Sequence, residues 1–159
     1  MTVPDTWATL NEFTRWYKDN NYPIRMPQDA YVYPTDVSYS VCVFRQDVYQ
    51  VEMYLARPYF MSTRHSHPFE QQIIFVGGDM VGRRGFGDQI SPIASSLPSD
   101  SGTVGGILPA NHWHEVGSGE HGFVFFNCQK WPNKEKMTSA VVEYNGPSLG
   151  EIHNEIKKT

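Results

Sequence analysis

Short apolar segments separated by turn residues run through most of the 159-residue chain and constrain its fold most strongly. These segments are rich in β-branched and aromatic residues, and glycine, proline and serine punctuate them, which is the pattern of short β-strands and turns. Regular repetition of such segments is typical of a β-sandwich or β-barrel. A Ser/Pro-rich stretch between Gln89 and Gly102 is predicted to be a surface loop. We predict strands at Val37–Phe44, Val48–Ala56, Ile73–Val76, Val104–Leu108, Phe123–Asn127 and Ala140–Tyr144.

The N-terminal segment has a different period. Large apolar side chains recur there at intervals of three and four residues, which is typical of an amphipathic helix. We predict this helix from Asp5 to Asn20, with Asp5 or Thr6 as its cap. Prolines between Tyr22 and Pro34 predict an extended segment that wraps over the domain. No repeat or linker divides the chain, so we expect one domain, 1–159, with a helix and wrapping segment (1–36), a barrel (37–145) and a tail (146–159).

Composition excludes several classes of protein. Aromatic residues make up 14% of the chain and charged residues 19%, which suits a packed domain and not a disordered one. The net charge is −4 and no basic stripe is present, so we do not expect nucleic acid as a partner. No apolar run reaches the length of a membrane span and no signal peptide is recognisable, so we expect a cytoplasmic protein without membrane contact. Cys42 and Cys128 lie in apolar runs and are predicted to be buried thiols.

Four of the six histidines form two H-x-H pairs. His65 and His67 make the first pair, and His112 and His114 make the second. Residues i and i+2 of a strand point to the same face, so one such pair can deliver two imidazoles to a single point. Neutral imidazole is a common ligand of Zn, Fe, Ni, Cu and Mn. Two pairs, each beside a proline and an apolar strand, predict that distant strands meet at one metal ion.

The run around the first pair, H-S-H-P-F-E-Q-Q-I-I-F-V-G-G, resembles the first sequence motif of the cupin family. His65 and His67 match the two histidines of that motif. Gln71 stands where the motif has a glutamate, because Gly78 follows it by seven residues. A glutamine would bind a metal through its amide oxygen and leave the charge of the ion unreduced, which makes the ion a stronger Lewis acid towards an anionic substrate. Some sugar-processing cupins resemble this set of three histidines and a glutamine.

The run P-A-N-H-W-H resembles the second cupin motif, P-x-G-x-x-H. Pro109 and His114 match its proline and its ligand histidine, and Asn111 replaces its glycine. Asparagine can adopt the left-handed turn conformation that glycine would supply there. The resemblance covers about Tyr49 to Gln129. The segment Cys128–Gly146 also resembles compact cupins encoded in bacteriophage genomes.

The resemblance implies a mainly β cupin barrel (a double-stranded β-helix, or jelly roll) with a short N-terminal α-helix. It also implies one divalent metal ion, Fe, Mn, Ni or Zn, that His65, His67, Gln71 and His114 would bind. Gln72 is an alternative to Gln71 if Pro68 resets the alternation of the strand, and Glu70 is a weaker one because alternation places it on the other face. We interpret His112 as a group of the pocket wall or behind the ligands.

Alternation along the predicted strands assigns further residues to faces. Ile73 and Phe75 should point inward with Gln71, whereas Gln72, Ile74 and Val76 should point outward. An apolar outer face needs a cover, either the N-terminal helix or a second subunit, and we expect a homodimer. Before the first motif, the polar side chains of Gln50, Glu52 and Tyr54 share one face, which is either solvent-exposed or part of the barrel lumen. Other interpretations place Phe60, Phe69 and Trp113 at the pocket wall and His121 and His153 on the surface.

Two classes of function fit these residues. The first is a metal-dependent enzyme for a small polar or anionic substrate, with isomerase- or lyase-type Lewis-acid chemistry or Fe(II) dioxygenase chemistry. The second is a non-catalytic cupin, which would be a sensor, a carbohydrate-binding module or a virion component. Arg64 and the basic turn at Gly82–Asp88 are candidates for binding a carboxylate or phosphate of the substrate. The sequence names neither the substrate nor the reaction.

Overall fold

A computed structural model of the protein describes residues 7–24, 32–34, 38–62, 64–86, 89–94 and 102–134. The predicted strand at Ala140–Tyr144, the tail and much of the wrapping segment lie outside the described residues. Strands dominate the described part, and the predicted mainly β class is confirmed. Its elements are helix α1 (Leu10–Asp19) and strands β1 (Val32–Pro34), β2 (Ser38–Gln46), β3 (Tyr49–Ala56), β4 (Glu70–Phe86), β5 (Gln89–Ala94), β6 (Thr103–Leu108) and β7 (Trp113–Lys130).

Helix α1 begins later than its apolar pattern suggested. Thr9 caps it: the Thr9 side chain accepts a hydrogen bond from the Glu12 backbone N–H, and the Glu12 carboxylate accepts one from the Thr9 N–H. This reciprocal pair satisfies two N–H groups that a helix start leaves free. Trp7 lies before the cap, yet its ring packs on Phe13 with centroids 5.2 Å apart, so it extends the apolar period without being helical. The cap predicted at Asp5 or Thr6 was therefore wrong.

The strands pair antiparallel in the order β1-β2-β3-β7-β4-β5, and β6 pairs with β4. Strands β4 and β7 are much longer than the predicted Ile73–Val76 and Phe123–Asn127, which are only their central parts. The glycines that indicated strand ends instead accompany the bends: the register of the two strands shifts on both sides of Gly77 and Gly78. Gly78 has a φ of 100°, and a Cβ built on it would collide with the backbone of Gly122. The predicted surface loop that starts at Gln89 was also wrong in part, because β5 occupies Gln89–Ala94.

The two faces of the sheet carry different cores. On the helix face, α1 packs on a cluster that includes Val51, Ile74, Phe126 and Cys128. The Gln72 amide belongs to this face and donates to the Asn11 side chain of α1 over 2.8 Å. The helix therefore supplies the cover that the outward-pointing residues require. The opposite face, which we call the interior face, carries a second apolar cluster composed of Ala56, Phe60, Phe75, Met80, Phe123 and Phe125, against which Tyr54, Ile73 and Val116 pack.

Both cysteines are free and fully buried, as predicted. Within the described ranges, the helix is neither long nor apolar enough to cross a bilayer.

Candidate metal centre

Three histidines from distant parts of the chain converge beside the interior face. The ring of His65 lies 4.8 Å from that of His67 and 4.2 Å from that of His114, measured between centroids. One nitrogen of each ring lies within 4.8 Å of the corresponding nitrogen of the other two. Nitrogens that share one ion at about 2.0–2.2 Å are at most about 4.4 Å apart, so small side-chain rotations suffice for joint ligation. All three side chains are buried.

Backbone pairing fixes this convergence. The N–H of His65 donates to the carbonyl of His114 over 2.9 Å, and the N–H of His114 donates back to the carbonyl of His65 over 2.8 Å. His67 is held by Asn111, whose N–H donates to the His67 carbonyl over 2.7 Å. Asn111 has a φ of 61°, so it does adopt the left-handed conformation predicted for the replaced glycine. The two motifs are thus joined by main-chain bonds that do not depend on a bound ion.

Burial keeps the imidazoles of His67 and His114 neutral. Desolvation, followed by the proximity of His65, lowers the pKa of His114 to about 3. The pKa of His67 is lowered well below its ordinary value by the same two causes and by His114. Neutral rings are the form that binds metal ions, because each keeps one nitrogen lone pair.

Hydrogen bonds select which nitrogen is available. The His112 carbonyl lies 2.9 Å from His114 Nδ1, and a carbonyl can only accept, so Nδ1 carries the proton and Nε2 carries the lone pair. This is the arrangement typical of a metal-bound histidine, whose other N–H donates to a carbonyl or carboxylate. His67 Nδ1 is buried and has no hydrogen-bond partner among the described residues. A metal ion at the triad would satisfy such an atom, so the residues fit the group.

Comparison with known proteins defines the fold. No protein-family model and no curated protein matches the sequence. Among solved structures, the capsular polysaccharide assembling protein CapF of Staphylococcus aureus matches with a TM-score of 0.55 and 16% identity over 69% of this chain and 31% of its own. The oxalate decarboxylase of Lactobacillus farciminis matches with a TM-score of 0.57 and 12% identity over 81% of this chain and 39% of its own. KdgF from a Halomonas species matches with a TM-score of 0.51 and 11% identity over 69% and 94%, respectively.

These neighbours are cupin-fold proteins. The chain has the cupin fold. It spans about a third of the length of the first two neighbours and nearly the whole of KdgF. As the two motifs predicted, His65, His67 and His114 come together in this fold and could hold one metal ion.

Gln71 reaches the histidine triad, whereas its two alternatives do not. The Gln71 amide nitrogen is 3.1 Å from His114 Nε2, and the side chain is buried. Gln72 points to α1, and Glu70 shares the face of Gln72 by strand alternation. As placed, the Gln71 N–H donates to the lone pair that a metal would use. Exchanging the amide oxygen and nitrogen would bring the oxygen to the same position as a ligand.

The other residues predicted around the site take different positions. Phe69 stacks on His67 with ring centroids 4.7 Å apart, and so forms part of the wall. His112 contributes its carbonyl to His114, and His121 is exposed. The Arg64 guanidinium lies 5.6 Å above the Trp113 ring, and its Nε and one Nη are buried without a hydrogen-bond acceptor among the described residues.

One group of polar side chains on the interior face was not predicted from the sequence. Strand register places Gln50, Gln129 and Gln71 in one row across β3, β7 and β4, and Glu52, Asn127 and Ile73 in the next. The sequence showed that Gln50 and Glu52 share a face but left that face undecided. Alternation within β7 was the available signal, because Asn127 and Gln129 have the parity of the interior residue Phe125.

Glu52 is the titratable member of this group. Its carboxylate accepts hydrogen bonds from Gln50 Nε2 at 3.0 Å and from Ser40 Oγ at 3.2 Å. Burial raises the pKa of Glu52 to about 7, although a hydrogen bond from Gln129 opposes the shift. Gln129 is fixed in turn, since its Oε1 accepts from Gln50 and from the Trp131 indole.

Proposed function

We propose that this cupin is a metal-dependent enzyme for a small polar or anionic substrate, with His65, His67 and His114 as metal ligands and Gln71 as the fourth. The buried triad, with a neutral His67 and His114 and an unpartnered His67 Nδ1, carries the proposal. Desolvating three imidazoles costs free energy, and a site that serves only for packing gains nothing from an unpaired buried nitrogen.

A divalent ion bound there would polarise a substrate oxygen as a Lewis acid, and Fe(II) in such a site would serve O₂ chemistry. The residues around the ion would orient the ligands and limit the access of water. His112 holds His114 in the binding tautomer, and Phe69 limits access of water to His67. The unreduced charge of such an ion would favour a carboxylate or phosphate on the substrate. Between isomerase- or lyase-type chemistry and dioxygenase chemistry, the neutral ligand set favours the former, because it leaves the full charge of the ion.

A second candidate is a non-catalytic cupin that binds a small molecule without metal. One observation favours it: the Gln71 N–H already satisfies the lone pair of His114. A carboxylate at this position could not donate in that way.

Metal uptake separates the two candidates. Metal-stripped protein would be titrated with Fe(II), Mn, Ni and Zn against a competing chelator, with His114→Ala and His121→Ala in parallel. His121 is exposed on the same strand, so its variant is a matched control. We expect tight uptake by wild type and the control, and a loss of at least about 100-fold for His114→Ala, since losing even an outer-shell partner costs about 10–100-fold. Gln71→Glu should bind the metal more tightly and lower any Lewis-acid activity.

Failure to take up any of the four ions, with His114→Ala indistinguishable from wild type, would leave the non-catalytic module as the function.

We also propose a homodimer in the cytoplasm. Light scattering on the purified protein measures the assembly, and a monomer at high concentration would contradict it.

A further inference from the structure

The row of Glu52, Asn127 and Ile73 on the interior face contains a buried hydrogen-bond acceptor that has no role at the metal centre. Asn127 lies between Glu52 and Ile73 in the strand register. Its side chain is 91% buried, and its Oδ1 has no hydrogen-bond partner among the described residues. A buried amide oxygen without a donor is costly, so this position requires either a bound water or a donor group of a ligand.

The carboxyl of Glu52 is the neighbouring polar group on this row. Glu52 lies directly opposite Asn127, and side chains so paired have Cβ atoms about 4.5–5.5 Å apart. The amides of Gln50 and Gln129 hold the carboxyl in place instead of leaving it mobile. Glu52 and Ile73, on either side of Asn127, are half-buried.

The distance to the metal centre sets the size of a ligand that spans both. Gln71 and Asn127 are separated by one strand spacing of about 4.8 Å and two residues of about 6.8 Å, hence by about 8 Å between Cα atoms. A chain of a few carbon atoms bridges such a span. One end of it would meet Asn127 Oδ1 and the Glu52 carboxyl, whereas the other would meet the histidine triad.

Resting on the proposed function, we propose that Asn127 and Glu52 bind the hydroxyl end of a hydroxy-acid substrate whose acid end lies at the histidine triad. A hydroxyl suits the row better than an ammonium group, because a charged amine would also lose its hydration in this buried position. Asn127 and Glu52 would thus select the hydroxyl end of the substrate by hydrogen bonding, and the charge of the metal ion would select its acid end.

The test compares ω-hydroxy acids of four to six carbons, and gluconate, with the unsubstituted alkanoates and with ω-amino acids of the same length. Binding is measured by calorimetry and ligand-observed NMR on metal-loaded and on metal-free protein. The variants are Asn127→Leu, which removes the amide at similar volume, and Glu52→Gln, which keeps shape and removes the charge. Glu120→Gln, an exposed carboxyl on β7, is the control for that second change.

We expect wild type and the control to prefer a hydroxy acid over its alkanoate by about tenfold, the value of one good hydrogen bond. Asn127→Leu should bring that ratio near one with unchanged metal affinity, and Glu52→Gln should reduce it. Equal binding of both series by wild type, a ratio that survives in both variants, or a preference for the amino acids would overturn the inference. If the protein takes up no metal but the hydroxyl preference of the metal-free form still disappears in Asn127→Leu, the proposed enzyme fails and the binding row stands.

Discussion

Acidification should destabilise the metal-free protein through its buried histidines. The ordinary histidine pKa is about 6.5. His114 has a pKa of about 3 in the folded protein, so between these values the unfolded chain binds a proton that the native one does not. Stability conferred by such a group is present at neutral pH and is lost as the pH falls.

The magnitude follows from the shift. At pH 5 the native His114 is still neutral. The pH then lies about 1.5 units below the pKa of a histidine in the unfolded chain, so protonation stabilises the unfolded state by about 2 kcal/mol. His67, whose pKa is also lowered well below its ordinary value by burial, adds to this loss. Glu52 has the opposite effect on stability, because its raised pKa lets the native state take up a proton before the unfolded state does. This stabilises the native state by about 2 kcal/mol between pH 7 and 5. The contributions of His114 and Glu52 nearly cancel, so the wild-type protein should lose stability over this range by the amount that His67 contributes.

Urea unfolding at pH 7, 6 and 5 in the presence of a chelator measures the loss. His114→Gln should make the change in stability between pH 7 and 5 more favourable than that of wild type by about 2 kcal/mol. His121→Gln, whose parent residue is exposed, should behave as wild type. The same pH dependence in wild type and His114→Gln would refute the claim that His114 is buried and neutral.

Three further outcomes follow from named contacts. Glu52→Gln should raise the free energy of unfolding at pH 8 by up to about 3 kcal/mol, because it removes a carboxylate whose ionisation burial opposes, and should have little effect at pH 5; an equal effect at both pH values would contradict the raised pKa. Gly78→Ala should cost about 2 kcal/mol or more in urea unfolding, since φ is 100° and the new Cβ would meet the Gly122 backbone, whereas Gly106→Ala has open space and should cost less. Thr9→Ala should cost about 1 kcal/mol in the same assay by removing the helix cap, and a neutral result would mean that the cap does not hold α1.

Local chemistry made part of this protein predictable from its sequence. The H-x-H spacing works because side chains alternate along any extended backbone, so His65 and His67 share a direction although β4 begins only at Glu70. Asn111 could be assigned a left-handed turn because few residues tolerate it. Gln71 could be chosen over Gln72 by its distance from Gly78, and the helix face now explains the choice, since Gln72 is bonded to α1.

The sequence pattern gave wrong element boundaries where one feature is compatible with two structures. Trp7 continues the apolar period of α1, but Thr9 and Glu12 end the helix before it. The glycine pairs in β4 resemble strand ends, yet between long paired strands they allow a bend without interrupting the ladder.

What the sequence by itself determined is the class of fold and the identity of the three converging histidines. Only the tertiary structure decided which face of β3 is interior, and with it that Gln50, Glu52, Asn127 and Gln129 form one group. It also decided the charge states, a neutral His114 and a Glu52 carboxyl with a pKa near 7. The physical reason is that a pKa depends on desolvation and on neighbouring charges, and both come from strands that are distant in the chain.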